Sequence, residues 1–170
     1  MWEDFKLRLY IETTVFNWYF DERPEHKDVV RLFEAVKAGK FIGCTSQYVT
    51  DELRKAEEPK RTNMLSLIGE YGIILADYDE TAETLATKYI TDGAIPASQV
   101  YDSIHIAFAT AHGLNAIVSY NFNHINRNKT KALIPLINEQ HGFGGMIMFL
   151  TAKEVFEYAQ LLQGERSRRD

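Results

Sequence analysis

Short apolar runs alternate with amphipathic stretches along this chain, and that alternation is typical of an α/β domain with a mainly parallel sheet. The apolar runs predict five strands, at residues 7–11, 41–44, 73–76, 116–119 and 146–150. None of these runs approaches the roughly 20 residues that a membrane-spanning helix needs. We therefore expect an α/β domain with no membrane association.

Apolar residues at helical spacing occupy the segments between these runs. In the first such segment Val29, Leu32, Phe33 and Val36 recur at i, i+3, i+4 and i+7, and Gly39 follows where the helix is expected to end. The predicted helices cover residues 25–38, 47–57, 62–71, 79 to the turn at 92–93, 98–112, 131–140 and 151–162.

Local signals refine three of these helices. Asp79 is a predicted N-cap, and Thr151 with Glu154 has the spacing of a capping box. Pro135 is expected to weaken or kink its helix. Residues 121–131 are predicted to form a polar loop, because they lack an apolar period.

Composition fits one soluble domain, since 170 residues with 45% hydrophobic and 25% charged side chains can bury a single core. We assign residues 1–163 to that domain and expect 164–170 to be a frayed basic tail. The N-terminus lacks the basic start and apolar stretch of a signal peptide, so a cytoplasmic location is expected. The single cysteine, Cys44, cannot form an internal disulfide, and core packing explains it better than chemistry.

A formal net charge of -5 provides no general attraction for nucleic acid. It does not exclude a nuclease, because a bound divalent cation and local basic loops can recruit phosphate. Candidate chemistry therefore has to come from particular residues.

Glu12 follows the first predicted strand directly, where a side chain points into the crevice above a parallel sheet. Thr14, two residues further on, offers a hydroxyl that orients the carboxylate or folds the turn. The alternative is an ordinary solvated loop acid.

Glu52 lies on the predicted helix after the second strand, beside the buried stripe of Val49 and Leu53. A carboxylate near the core needs a partner or a metal. A salt bridge to Arg54, Lys55 or another base is the structural alternative.

Asp102 lies within the first turns of a predicted helix that is apolar on most sides, so we expect that helix to lie between layers. A metal-site role is favoured by its apolar neighbours, and compensation of the helix dipole is the alternative. Asn121 follows the fourth strand and offers a neutral oxygen ligand, although Asn is also a common turn residue.

Three carboxylates brought together repel one another unless a cation lies among them. Oxygen ligands favour Mg²⁺ or Mn²⁺ over zinc. The histidines do not suggest a zinc site: His105 and His112 are seven residues apart, and no Cys/His cluster is present. The sequence also contains no Walker loop, no G-x-G-x-x-G and no G-x-S-x-G.

In this order and spacing the chain resembles PIN domains, many of which are toxin ribonucleases of the virulence-associated protein C type from type II toxin-antitoxin pairs. The resemblance runs from residue 7 to residue 125 and rests on four motifs. They are Glu12-Thr13-Thr14, the helix with Glu52, Asp102-x-x-x-Ala-x-Ala, and Asn121-Phe122 after a strand. Glu12 and Asn121 stand where the family usually has Asp. They resemble a sub-branch with Glu-Thr-Thr and Asn-Phe-x-His motifs.

The resemblance implies a three-layer α/β/α fold and metal-dependent hydrolysis of RNA phosphodiester bonds. It places Mg²⁺ or Mn²⁺ at Glu12, Asp102 and Asn121, with Glu52 completing the site directly, through water or as a base. Arg127, Lys129 and Lys131 are candidates for holding flanking phosphates, with a solvated basic loop as the alternative.

The resemblance also implies an antitoxin partner and a homodimer. The aromatic run at residues 15–20 is a candidate interface, or else packs on the domain's own core. The rival functional hypothesis is a weakened PIN module that binds RNA or a protein partner without cleaving.

Overall fold

A computed structural model describes residues 5–168, which form a five-stranded sheet flanked by helices. The strands are β1 Arg8–Ile11, β2 Ile42–Ser46, β3 Ile74–Ala76, β4 Ala116–Val118 and β5 Met148–Leu150. Their order in the sheet is β3-β2-β1-β4-β5, and every neighbouring pair is parallel. The expected mainly parallel sheet is confirmed, and in the described residues it is entirely parallel.

Eight helices connect and follow these strands in the described part of the chain. They are α1 Thr13–Trp18, α2 His26–Lys37, α3 Gln47–Leu53, α4 Lys60–Glu70, α5 Glu80–Thr91, α6 Val100–Ala111, α7 Asn128–Gln140 and α8 Ala152–Ser167. None of them is both long and apolar enough to cross a membrane.

The central strand β1 and its neighbour β4 bring distant parts of the chain to one edge of the sheet. β1 and β4 are buried along most of their length and run in the same direction. The residues that follow them therefore meet, and the Glu12 amide donates to Val118 O at 3.2 Å. Because ligands bind beyond the carboxyl ends of parallel strands, this edge is where a functional site is expected.

The predicted caps are present. Asp79 Oδ1 accepts hydrogen bonds from the amides of Thr81 and Ala82 at the start of α5. Thr151 Oγ1 accepts from the Glu154 amide at 3.4 Å and donates to the Glu154 carboxylate at 3.0 Å. Cys44 is buried in the core, as expected.

Several boundaries differ from the prediction, and α3 ends at Leu53 and not at residue 57. Residues 13–18 form α1, where no helix was predicted. α7 begins at Asn128, inside the predicted loop, and contains Pro135. α8 extends to Ser167 and not only to Leu162, so part of the predicted frayed tail is helical. Residues 169–170 of that tail and the N-terminal residues 1–4 lie outside the described residues.

Candidate functional site

Glu12 is buried, with 2% of its surface exposed, and it caps the first turn of α1. One carboxylate oxygen, Oε2, accepts from the Thr14 amide at 3.2 Å, the Thr14 hydroxyl at 2.5 Å and the Ser119 hydroxyl at 2.8 Å. Burial raises the pKa of Glu12, while the nearby His105 and the two hydroxyls lower it in part. The alternative of a solvated loop acid is therefore wrong.

Glu52 projects from α3 toward the same place. Its Oε1 accepts a hydrogen bond from the Thr13 hydroxyl at 2.6 Å and lies 2.5 Å from His105 Nε2. Burial raises the pKa of Glu52, but the hydrogen bond and charge of His105 outweigh that effect, so the net shift is downward. Of the bases weighed as alternative partners of Glu52, Arg54 pairs with Asp51, and the base that Glu52 contacts is His105.

His105 is a member of this site that the sequence did not reveal. It is fully buried on α6, and its Nδ1 lies 2.8 Å from the Tyr10 hydroxyl. Burial lowers the pKa of His105, but the Glu52 hydrogen bond and the surrounding acids raise it overall. The available signal was its spacing, because His105 follows Asp102 by one helical turn.

Asp102 also lies on α6, close to this cluster. Its Oδ2 is buried and accepts no hydrogen bond from the described residues, although His124 Nδ1 lies 3.0 Å away. Burial raises the pKa of Asp102. The charges of His105 and His124 and a hydrogen bond from the Asn121 side chain lower that pKa in part. A buried carboxylate oxygen that accepts no well-aligned hydrogen bond is a position at which a cation would compensate the charge.

The donor set fits a divalent cation. Glu12, Glu52 and His105 each offer one potential ligand atom, and these three atoms lie within 4.8 Å of one another. The structure therefore brings Glu12 and Glu52 into one cluster, as predicted, and adds His105 to it. Asp102 is not a member of that group and stands beside it. The predominance of carboxylate oxygens is suited to Mg²⁺ or Mn²⁺.

Asn121 lies next to the site in a turn. Its Oδ1 accepts from the His124 amide at 3.0 Å, and its own amide N–H donates to the Ser119 hydroxyl at 3.0 Å. The turn role weighed for Asn121 is therefore present in the structure. The metal-ligand role of Asn121 remains a prediction. Its oxygen already accepts one backbone hydrogen bond.

The predicted phosphate-binding residues have different environments. Arg127 donates from its guanidinium to Thr130 Oγ1 at 3.1 Å and to Ala94 O at 3.2 Å, which ties the start of α7 to the loop after α5. Lys129 and Lys131 are exposed at the beginning of α7. Closer to Glu52, Lys55 Nζ lies 4.7 Å from the centre of the Tyr101 ring.

An aromatic cluster borders the turn at Asn121. Trp18 stacks on Tyr120 with ring centres 3.9 Å apart, and the Arg23 guanidinium lies 4.3 Å above the Trp18 ring. Phe122 is 52% exposed and contacts Tyr120 edge-on. Of the run at residues 15–20, Val15 and Phe16 are fully buried, so much of this run packs on the domain's own core.

Comparison with known proteins identifies the family. The PIN domain model matches residues 9–129, a span that contains Glu12, Glu52, Asp102 and Asn121. Since this match covers more than half of the 170 residues, the chain belongs to the PIN domain family. A search of curated proteins gave no significant match.

Solved structures support the same fold. The chain is similar to VapC20 of Mycobacterium tuberculosis, a sarcin-ricin loop cleaving toxin, with 13% identity, a TM-score of 0.55, and coverage of 68% of this chain and 92% of that chain. It is also similar to a chain of VapBC2 from Rickettsia felis bound to a promoter DNA fragment, with 14% identity, a TM-score of 0.52, and coverage of 71% and 92%. The expected α/β fold of the PIN type is confirmed.

Proposed function

We propose that this protein is a metal-dependent endoribonuclease that hydrolyses RNA phosphodiester bonds. The observation that carries the proposal is the cluster of buried Glu12 and His105 with half-buried Glu52, at the carboxyl edge of a PIN-domain sheet. Beside it lies a buried Asp102 oxygen that accepts no hydrogen bond from the described residues. Carboxylates gathered in this way are costly to bury unless a cation binds among them.

Glu12, Asp102 and Glu52 are the residues that would hold Mg²⁺ or Mn²⁺. When bound, such a cation lowers the pKa of water and offsets the negative charge that develops on a phosphate group during hydrolysis. The protein contributes the positioning. Thr14 and Ser119 fix one oxygen of Glu12, and Thr13 fixes one oxygen of Glu52, so each carboxylate keeps a second oxygen for other interactions.

The surroundings of the site suit a phosphodiester chain. Lys55 and Lys129 are exposed, and we propose them as contacts for phosphates that flank the cleaved bond. Arg127 is less available, because its guanidinium already has two acceptors.

The test is cleavage of assorted RNAs with Mg²⁺, with Mn²⁺ and with EDTA, using wild type and Asp102→Asn. We expect cleavage only with metal, by wild type and not by Asp102→Asn. Arg61→Gln, which changes an exposed pair with Glu58 away from the cluster, is the control and should cleave like wild type. Absence of cleavage with either metal, or metal-dependent cleavage that is undiminished in Asp102→Asn, would count against the proposal.

The second candidate is a weakened PIN module that binds RNA or a protein without cleavage. It is favoured by Asn121, which stands where the family usually has Asp and whose oxygen accepts the His124 amide. Metal-dependent RNA binding without products, measured by fluorescence anisotropy over hours, would support this candidate over the nuclease.

We also propose a biological setting. VapC20 is described as a toxin, and a VapBC2 chain shares the fold, so this chain is a candidate toxin whose partner would be an antitoxin in the cytoplasm. A homodimer is a further part of this proposal. Sedimentation at micromolar concentration tests self-association, and a clean monomer would leave only a heterologous partner.

A further inference from the structure

A line of buried hydrogen-bonding groups ends on Glu52. The Ser46 hydroxyl and the Tyr10 hydroxyl share a hydrogen bond of 2.8 Å, and the Tyr10 hydroxyl lies 2.8 Å from His105 Nδ1. The opposite ring nitrogen, His105 Nε2, lies 2.5 Å from Glu52 Oε1. Ser46, Tyr10 and His105 are all completely buried, so water does not compete for these contacts.

The direction of the last contact follows from chemistry. An ionised carboxylate only accepts hydrogen bonds, so the proton between Glu52 and His105 belongs to Nε2. A ring nitrogen that carries a proton has no lone pair to give to a metal ion. His105 therefore acts on Glu52 as a donor, although its position within the cluster resembles that of a ligand.

The same contact selects one oxygen of Glu52. Oε1 receives the donors from His105 and Thr13, whereas Oε2 accepts no hydrogen bond from the described residues. The Tyr10 hydroxyl contacts the other ring nitrogen, His105 Nδ1, and the centres of the Tyr10 and His105 rings are 5.7 Å apart. A side chain fixed at both ring nitrogens has little freedom to rotate, so the carboxylate it holds is fixed as well.

We propose that His105 is a positioning residue that orients the Glu52 carboxylate in the cleavage site, and that Tyr10 and Ser46 hold the imidazole for this task. The inference rests on the proposed ribonuclease function for its catalytic meaning. The hydrogen-bond line itself stands on geometry and can be tested without any activity.

The first experiment follows the Nε2 proton by nuclear magnetic resonance of ¹⁵N-labelled protein, before and after saturation with Mg²⁺. We expect a proton coupled to Nε2 in both states, with the signal shifted in Glu52→Gln because the acceptor has changed. Loss of the Nε2 proton on saturation with Mg²⁺ would mean that the ring coordinates metal, and would overturn the proposal.

The second experiment compares the RNA cleavage rates of two variants, His105→Asn and His105→Gln. A Gln amide reaches about as far as Nε2, and an Asn amide only about as far as Nδ1. We therefore expect His105→Asn to lower kcat about 10- to 100-fold, with KM unchanged and with partial recovery in His105→Gln. Equal losses in both variants would overturn the proposal, because a role in packing alone does not distinguish the two amides.

Tyr10→Phe is the subtlest probe, since it removes only the hydroxyl that holds Nδ1. Its matched control is Tyr89→Phe, which removes another buried hydroxyl, one that contacts Asn138 and Thr110 outside the site. We expect a several-fold lower kcat in Tyr10→Phe alone. Equal kcat in the two variants would overturn the role of Tyr10.

Failure of the proposed function remains distinguishable from failure of this inference. If wild-type protein cleaves no RNA with either metal, the proposed function fails, while the Nε2 proton still decides whether His105 donates to Glu52. If wild type cleaves but the Nε2 proton is absent, the function stands and the positioning role is wrong.

Discussion

Asp102 holds an ionisable group in a place that disfavours its charge. Its Oδ2 is buried without a hydrogen bond from the described residues, and burial raises the pKa of the carboxyl. We predict that Asp102→Asn stabilises the metal-free protein by about 1 kcal/mol, which is roughly 2–4 °C in Tm for a domain of this size. Thermal melts in EDTA measure this shift.

Asp92→Asn provides the control for that prediction, because Asp92 is a partly exposed carboxylate that contacts His141 at 3.5 Å. Its Tm should stay within about 1 °C of wild type, since exposed ion pairs contribute little. A lower Tm for Asp102→Asn than for wild type in EDTA would show that the contact with His124, 3.0 Å from Oδ2, outweighs the cost of burying the carboxylate.

Asn121 gives a second prediction, about metal affinity. The carboxylate of Asn121→Asp can still accept the His124 amide, and it adds a charge near Asp102. After allowance for repulsion between the acids, we expect a net gain of about 1–2 kcal/mol in Mn²⁺ binding, or about ten-fold or more in affinity. Titration calorimetry is the measurement.

Asn123→Asp is the matched control, because it adds the same charge two residues away on an exposed side chain. It should change Mn²⁺ affinity less than Asn121→Asp does. If both variants bind Mn²⁺ like wild type, Asn121 serves the turn alone and does not contribute to the metal site.

Among the helices, α5 depends on one cap. Burial raises the pKa of Asp79, but the amides of Ala82 and Thr81 and the hydrogen bond from His112 outweigh it, so the net shift is downward. We predict that Asp79→Ala costs about 1 kcal/mol of unfolding free energy at pH 7. Asp79→Asn should cost less, because Asn is nearly as good a cap.

The difference in unfolding free energy between wild type and Asp79→Asn reports the contribution of the Asp79 negative charge. That contribution has a definite pH dependence. The folded-state pKa of Asp79 lies below the unfolded value of about 3.9, so the stabilisation is complete above that value. It is lost as the pH falls through the folded-state pKa. Urea unfolding at pH 7 and near pH 3 measures this, and a difference that grows on acidification would contradict the assignment.

Most elements could be predicted from periodicity, and the exception has a physical reason. The strands and the helix at residues 26–37 show clear apolar patterns, whereas α1 has only six residues, most of which are weak helix formers. α1 depends on the Glu12 cap and on burial of Val15 and Phe16, and these are tertiary effects.

The candidate site likewise contains residues that the sequence could predict and residues that it could not. Glu12 and Glu52 could be predicted to converge because parallel strands deliver their following residues to one edge. His105 could not, since a histidine on an apolar helix is usually a core residue with satisfied hydrogen bonds. The hydrogen bond from Arg127 to Ala94 O could not be predicted either, because those residues are 33 positions apart and meet only in the folded chain.

For the molecule as a whole, we predict that divalent metal raises the free energy of unfolding. A cation among Glu12, Glu52 and Asp102 binds only the folded state, and at 100 times its dissociation constant it adds about 2.7 kcal/mol. Melts in EDTA, Mg²⁺ and Mn²⁺ measure the shift, which should be much smaller in Asp102→Asn. Identical melting points for wild type with millimolar metal and with EDTA would argue against a metal site.

The buried Asp102 oxygen, which accepts no hydrogen bond from the described residues, also has a consequence for protein engineering. When activity is not demanded, a library sorted only for yield or heat resistance should accumulate neutral residues at position 102, because they relieve the buried charge. A stabilised variant of this chain obtained without an activity screen should therefore be sequenced at that position first. Heat resistance gained there would have been obtained at the expense of metal binding.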